Sequence, residues 1–410
     1  MAEKTQIPRT DKTPSGSVAA PASAPTAQGR RPSGLTGHLP PRFWRMRPST
    51  AVITDSAPAA APATTTPPAP PMPTGSAFQR WRRDQQQRNQ GLDRIAMLII
   101  LCALLSLGIY LYGTLHLRLD LNLSHSYEDI GQLTSLTSGA YRPEVGLFLL
   151  IAIALLFGAW GLVYWLVGRV EHQAKTGWRR APILLSAPLF GFPIVALLVM
   201  LLMYPITAVD VFDYASQIRV FTIYHANPLT IAPINFPNDP FLRFNPWNTV
   251  PASYGPLWVI LSALVSLPAG NHFLAAVLAQ KLLSIVACLG CMAMLWLLAR
   301  RLCPERRWQV FVFFAWNPLI LYEVGANGHN DAIMVFFMLA GMVALLSTRW
   351  YWQSLALPLL VASVLVKWTT LLLLPLAVLY LLGSGRIRRW GLPPLILGTA
   401  LTALYAIPLS

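Results

Sequence analysis

Charge is what this chain has least of. Only 11% of its 410 residues are Asp, Glu, Lys or Arg, while 55% are hydrophobic and the mean hydropathy is +0.50. That shortage excludes a soluble domain of this length and fits an all-α integral membrane protein, a polytopic helical bundle. Acid is scarcer than base: 16 Asp and Glu stand against 31 Lys and Arg, a net charge of +15. The surplus does not indicate a nucleic-acid partner, because the cations fall in short runs beside apolar segments, which is a topology signal. Cysteine is nearly absent, and Cys102, Cys288 and Cys291 of the four lie inside apolar stretches, so no disulfide framework is built. The CxxC spacing of Cys288 and Cys291 has no second pair and reads as small residues filling a helix contact. There is no His/Cys/Asp cluster at metal-ligand spacing, no phosphate-cradling glycine loop and no nucleophile elbow. Neither a metal nor any other cofactor is expected.

What is present divides unevenly. Residues 1–78 are rich in Pro, Ala, Thr and Ser without periodicity, and cannot bury enough apolar surface to offset their ordering entropy. They read as a disordered cytoplasmic tail, with no apolar core that would make a secretory signal. Its island RFWRMR at 42–47 reads as a solvated charge run or a lipid contact. Residues 79–410 read as the polytopic membrane domain, with about nine spans. The apolar runs are 95–112, 145–168, 181–204, 272–299, 308–323, 331–347, a short pair 354–366 and 369–382, and 391–408. Residues 256–268 are apolar but short for a crossing and read as an interfacial or re-entrant element. With the N-terminus inside and the tail left aside, 17 Lys and Arg fall in cytoplasmic segments and 5 outside, as expected for a multi-pass protein of the plasma membrane. The chain stops directly after a run of span length, which reads as a possible truncation of a longer architecture.

The organising stretch is 205–271, polar, aromatic and rich in proline, between runs of span length on both sides. Asp210 and Asp213 sit where the third run releases the chain. In a helix, Asp210, Asp213 and Gln217 share one face and Val211, Tyr214, Ala215, Ile218 and Thr222 the other, as in a helix lying on a membrane surface. Asp210 reads either as a helix cap or as chemistry. Topology brings two further turns to the same side. One is NPLILYEVGANGHNDAIMV, which carries Glu323, Asn327, His329, Asn330 and Asp331, with Asn330 or Asp331 expected to cap the next helix. The other holds Lys367 between two half-length runs, either snorkelling or paired. Tyr214, Tyr224, Trp247 and Trp258 read as an interfacial belt or as platforms for sugar rings, and Tyr254 lies in the tight turn PASYGP.

Five motifs in order resemble the GT-C membrane glycosyltransferases that use polyprenyl-phosphate sugars. They are Asp210-Val-Phe-Asp-Tyr214 with Gln-Ile-Arg219; His225-Ala-Asn-Pro228; Ser253-Tyr-Gly-Pro-Leu-Trp258; Asn317-Pro through Glu323 to Gly328-His-Asn-Asp-Ala332; and Val366-Lys367 before Pro375. The pattern looks closest to the polyprenol-phosphomannose-dependent α-1,6-mannosyltransferases and the related glycosyltransferase family 87, over about residues 95–410. The resemblance implies transfer of a hexosyl, expected mannosyl, group from a polyprenyl-phosphate sugar donor to a glycan or glycolipid acceptor on the outer side of the bilayer. It also implies that an acidic residue of the first large outer loop is the general base, by position Asp210, with Asp213 beside it. A poor hydroxyl nucleophile needs a carboxylate within reach, and one base acting directly inverts the anomeric centre. The leaving phosphate needs cations or hydrogen-bond donors, for which Arg219, Lys367 and His329 are the candidates. Tyr214, Tyr254, Glu323, Asn330 and Asp331 complete the expected substrate site. A transporter or flippase of a lipid-linked sugar is the alternative, and would show internal repeats and charges midway through spans, neither of which is seen apart from Lys367 and the marginal Lys281; a membrane scaffold would leave the clustered acids without a use.

Overall fold

The computed structural model describes residues 75–123, 143–174 and 181–383. The tail as far as residue 74 and the last apolar run, 391–408, lie outside the described residues. Among those described, the fold is helical, with one isolated bridge between Arg118 and Met203 and no strand. In chain order the helices are α1 (Ser76–His116), α2 (Leu119–Asn122), α3 (Pro143–Ala174), α4 (Ala181–Met200), α5 (Asp210–Thr222), α6 (Pro256–Ser266), α7 (Phe273–Leu302), α8 (Arg307–Ala315), α9 (Pro318–Gly325), α10 (Asp331–Leu345), α11 (Trp350–Ser354), α12 (Ala356–Val366) and α13 (Leu373–Gly383).

Among the described residues, three helical stretches are long and apolar enough to cross a membrane: Gln90–His116, Leu149–Gln173 and Phe273–Leu302. Their outward faces are lined with exposed Leu and Ile, such as Leu101 and Leu104 on α1 and Leu150 and Ile153 on α3. Side chains of that kind face out over several turns only where the surroundings are themselves apolar, as for a helical membrane protein. The remaining apolar helices are shorter, including Leu185–Met200, Asp331–Leu345 and Tyr351–Val366.

The continuous run expected at 308–323 is two helices. The chain breaks at Trp316 and Asn317, and the Asn317 Oδ1 accepts the Leu319 N–H at 3.0 Å to cap α9. Pro318 then takes the first helical position, where its missing N–H costs nothing. The pair expected around Lys367 does form a hairpin. Leu357 and Leu360 near the start of α12 pack with Ala377 and Leu381 near the end of α13, so the two run antiparallel. Lys367 sits at their junction in extended backbone (φ −152°, ψ 128°), where α12 cannot continue.

The largest correction concerns α5. The expected surface helix has buried residues on every face, from Val211 through Val220 without interruption. The segment after it folds back as loops and short 3-10 turns at 233–235 and 242–244. Phe241 and Phe244 pack edge-on and stacked against Phe273 of α7, holding this cover over the helix. The amphipathic pattern is real, but protein rather than water faces its polar side at Asp213 and Gln217, and only Asp210 at its head stays partly exposed.

Candidate functional site

Six chain segments end together at one end of the bundle: the exit of α4, the first turn of α5, the Tyr254–Gly255 turn, the N-terminal part of α7, the α9–α10 turn and the α12 junction. Backbone contacts hold this arrangement. The Gly255 N–H donates to the Val366 carbonyl at 3.0 Å, and a Cβ on Gly255 would collide with the Leu365 carbonyl. Glycine is therefore what lets the PASYGP turn lie against the end of α12. In the α9–α10 turn, the His329 N–H reaches back to the Glu323 carbonyl at 3.1 Å. Gly328 adopts φ +71°, open to glycine and strained for other residues, and so reverses the chain.

Asp210 is the first residue of α5. Val209 holds the capping position and no side chain caps this helix, so Asp210 does not serve as a cap. Its carboxylate lies in the first turn, near the positive end of the helix dipole, and is 35% exposed. His329 stands opposite. Its Nδ1 is 3.9 Å from the Asp210 Oδ2 and 3.9 Å from the Asp331 Oδ2, and its Nε2 is 3.2 Å from the Glu323 Oε2. One imidazole thus lies among three carboxylates from two regions of the chain. The Lys367 ammonium pairs with the Asp331 Oδ1 at 2.8 Å and lies 5.4 Å from the centre of the Tyr254 ring. Asn327 ties Glu323 inward, donating from Nδ2 to the Glu323 Oε2 at 2.8 Å and to the Thr207 Oγ1 at 2.6 Å.

A buried layer backs this cluster. The Tyr214 hydroxyl donates to the Tyr254 hydroxyl at 3.3 Å, and the Tyr214 ring meets the Trp258 ring edge-to-face at 4.9 Å. Asp213 is buried beside Asn245. Burial pushes its carboxyl up to about 7, the Asp210 charge adds to that, and the Asn245 amide pulls the other way. Asn330 is fully buried at the head of α10. The cap expected from Asn330 or Asp331 is not made: Asn330 holds the capping position, no side chain caps the helix, and neither Asn330 amide atom has a partner among the described residues.

Two expectations part here. Asp210, Tyr214, Tyr254, Glu323, His329, Asn330, Asp331 and Lys367 come together, with Asp213 one turn behind. Arg219 does not join them. It lies nine residues along α5, about 13 Å by helical rise. Its guanidinium is spent on the Asp239 Oδ2 at 2.7 Å, the Gly270 carbonyl at 2.9 Å, the Asn271 Oδ1 at 2.9 Å and the face of Phe241 at 4.2 Å. Tyr224 donates to the same Asp239 oxygen at 2.9 Å. Arg219 is a tie between α5 and its covering loop. Residues missed from the sequence were Thr207 and Asn245, neither of which lies in a motif. A cavity of about 510 Å³ opens at the far end of the bundle, beside Trp165, Arg169, His172 and Arg306, away from these carboxylates.

Residues 101–383 match the family model described as alpha-(1->6)-mannopyranosyltransferase, N-terminal domain. Among curated relatives, alpha-(1->6)-mannopyranosyltransferase B of Corynebacterium glutamicum is 26% identical over 216 residues, covering 48% of this chain and 32% of the relative. Alpha-(1->6)-mannopyranosyltransferase A of Mycobacterium tuberculosis is 25% identical over 197 residues, covering 46% and 36%. A further alpha-(1->6)-mannopyranosyltransferase of M. tuberculosis is 28% identical over 156 residues, covering 36% and 25%. The matched stretches thus span about a third or less of these relatives' own length. No solved structure matches.

Proposed function

The chain belongs to the alpha-(1->6)-mannopyranosyltransferase family, and from that premise we propose that it moves a mannosyl group from a polyprenyl-phosphate donor to a glycan or glycolipid acceptor, with inversion, on the outer side of the membrane. The observation that carries this reading is the meeting of Asp210, Glu323 and Asp331 around His329, beside Lys367. Charge supports the membrane side: Arg300 and Arg301 sit in the last turn of α7, at the end away from Lys281 and this cluster, which suits a multi-pass protein with a cytoplasmic N-terminus.

In the proposed reaction the acceptor oxygen forms a bond to the sugar's anomeric carbon as that carbon's bond to the phosphate oxygen breaks. The acceptor proton passes to Asp210, and the polyprenyl phosphate leaves with the bonding pair. Asp210 suits the base role because it has water access and no capping duty. Glu323 and His329 offer hydrogen bonds to sugar hydroxyls. Lys367, oriented by Asp331 and the Tyr254 ring, is the cation within the cluster that can meet the leaving phosphate. A β-linked mannosyl donor would give an α-linked product. The test is to incubate membranes containing the chain with labelled polyprenyl-phosphate mannose and an α-mannoside acceptor. Label entering an α-linked, extended product supports the proposal. Intact donor recovered from well-folded protein contradicts it.

A further inference from the structure

Lys281 lies on α7 and is fully buried, yet no carboxylate among the described residues pairs with it. Its ammonium donates to the Met200 carbonyl at 3.1 Å and the Met203 carbonyl at 2.6 Å, both at the C-terminal exit of α4. A buried ammonium held only by carbonyls is costly, and a methionine of similar length would fill the same space without that cost. The carbonyls soften the cost because they lie at the negative end of the α4 dipole. They also lead directly into the segment that ends at Asp210. One turn along, Ser284 donates from Oγ to the Gly328 carbonyl at 3.1 Å, next to His329. The two side chains stand three residues apart, on one face of α7. The lysine stem packs under the same glycine: a Cβ on Gly328 would come within 2.8 Å of the Lys281 Cγ and 3.2 Å of the Val211 Cγ2. Residues 202–204 are meanwhile pinned from the other side, where the Tyr204 N–H donates to the Leu117 carbonyl at 2.7 Å and the Leu119 N–H to the Leu202 carbonyl at 2.9 Å.

Asp210 and His329 are 119 positions apart in the chain, and their 3.9 Å approach crosses two turns with little regular structure. The same turn of α7 touches both. We infer that Lys281 is a positioning residue: with Ser284 it holds together the α4–α5 and α9–α10 segments, and so sets the distance between Asp210 and His329. The inference deepens the proposed transferase activity and rests on it for its catalytic meaning. Gln280 supplies a control from the same turn of α7. Its Nε2 donates to the Ser262 Oγ at 2.6 Å and the Ser266 Oγ at 2.8 Å, tying down α6, which carries neither Asp210 nor His329.

The experiment uses the full chain in nanodiscs, with Lys281→Met, Ser284→Ala, Gln280→Leu and His329→Gln, alone and combined with His329→Gln. Hydrogen exchange and steady-state mannosyl transfer are both read. Lys281→Met should stay monodisperse and exchange faster in 203–210 and 326–330 together. It should lose about 10²-fold in kcat, the scale of a 1 Å misplacement, with donor KM within about twofold. Because Lys281 acts through the cluster, Lys281→Met combined with His329→Gln should lose little more than the worse single change. Gln280→Leu should multiply with His329→Gln, as independent sites do. Lys281→Met effects that multiply with His329→Gln, or exchange unchanged in both segments, would overturn the inference. If Lys281→Met does not fold, Ser284→Ala decides through the same cycle, and multiplication there overturns the inference as well. If the wild-type chain moves no mannose, exchange alone still decides: coordinated loosening of both segments upholds the clamp while the transferase reading falls.

Discussion

Breaking the Arg219–Asp239 pair separates a structural arginine from a substrate-binding one. Both side chains are nearly inaccessible, at 6 and 7% exposure, so solvent screens their attraction little. Asp239→Asn leaves the guanidinium buried without its anion and weakens the acceptor that also serves Tyr224. Removing one partner of a buried pair costs about 3–5 kcal/mol. Arg219→Gln gives up the same ion pair together with the bonds to Gly270 and Asn271, and should cost at least as much. Tyr224→Phe deletes one hydrogen bond to a carboxylate, worth about 1.5–3 kcal/mol, and leaves the ion pair in place. Thermal unfolding in a fixed detergent, followed by loss of monodisperse protein, should therefore rank wild type above Tyr224→Phe and Tyr224→Phe above Asp239→Asn. The folded fraction of each variant should keep its donor KM within about twofold, since the tie lies about 13 Å along α5 from Asp210. A donor KM raised tenfold by Arg219→Gln, with unfolding unchanged, would refute the assignment and return Arg219 to the phosphate.

Two further outcomes follow from the site. Lys367→Gln should raise donor KM by about 10–100-fold, the worth of a hydrogen bond to a charged group, while Asp331 is relieved of its partner and the fold persists; an unchanged KM in donor titrations would move the phosphate elsewhere. Asp213 has its carboxyl raised from 3.8 to about 7 in the fold, so the folded chain holds a proton there that the unfolded chain has released between those values. Its contribution is therefore full below about pH 4, is lost as pH rises to about 7, and changes little beyond. Asp213→Asn should flatten that part of a stability–pH curve measured in one detergent, and a curve of identical slope would deny the buried carboxyl its role.

The site was legible where chemistry and punctuation coincide in short stretches. EVGANGHND shows its glycines, its imidazole and its two acids within nine residues, and the alternation of basic and apolar runs brings that turn to the same side as Asp210. The structure adds the 3.9 Å approach that makes one cluster of them. What stayed hidden depends on partners far away in the chain. Asp210, Asp213 and Gln217 look like the wet face of a surface helix, because periodicity reports polarity and not what covers it. Asp239 and Asn245 come from a loop with no repeat, so nothing in the sequence marks them as the cover. Asn317-Pro318 does announce a helix start, yet a uniformly apolar stretch hides the break before it. Lys281 sits alone inside a span-length run, where a single letter cannot tell a functional ammonium from a tolerated one.

The central claim is that Asp210 takes the acceptor proton, and the most direct measurement is single-turnover mannosyl transfer by Asp210→Asn beside wild type and Asp213→Asn. Asparagine keeps the size and most hydrogen bonding of Asp210, and no capping bond is lost because none is made. The account predicts normal folding, near-normal donor binding and a chemical step slowed by about 10²–10⁴-fold, the usual worth of a general base, with Asp213→Asn slowed much less. Transfer at the wild-type rate by Asp210→Asn, or its abolition by Asp213→Asn alone, would contradict it.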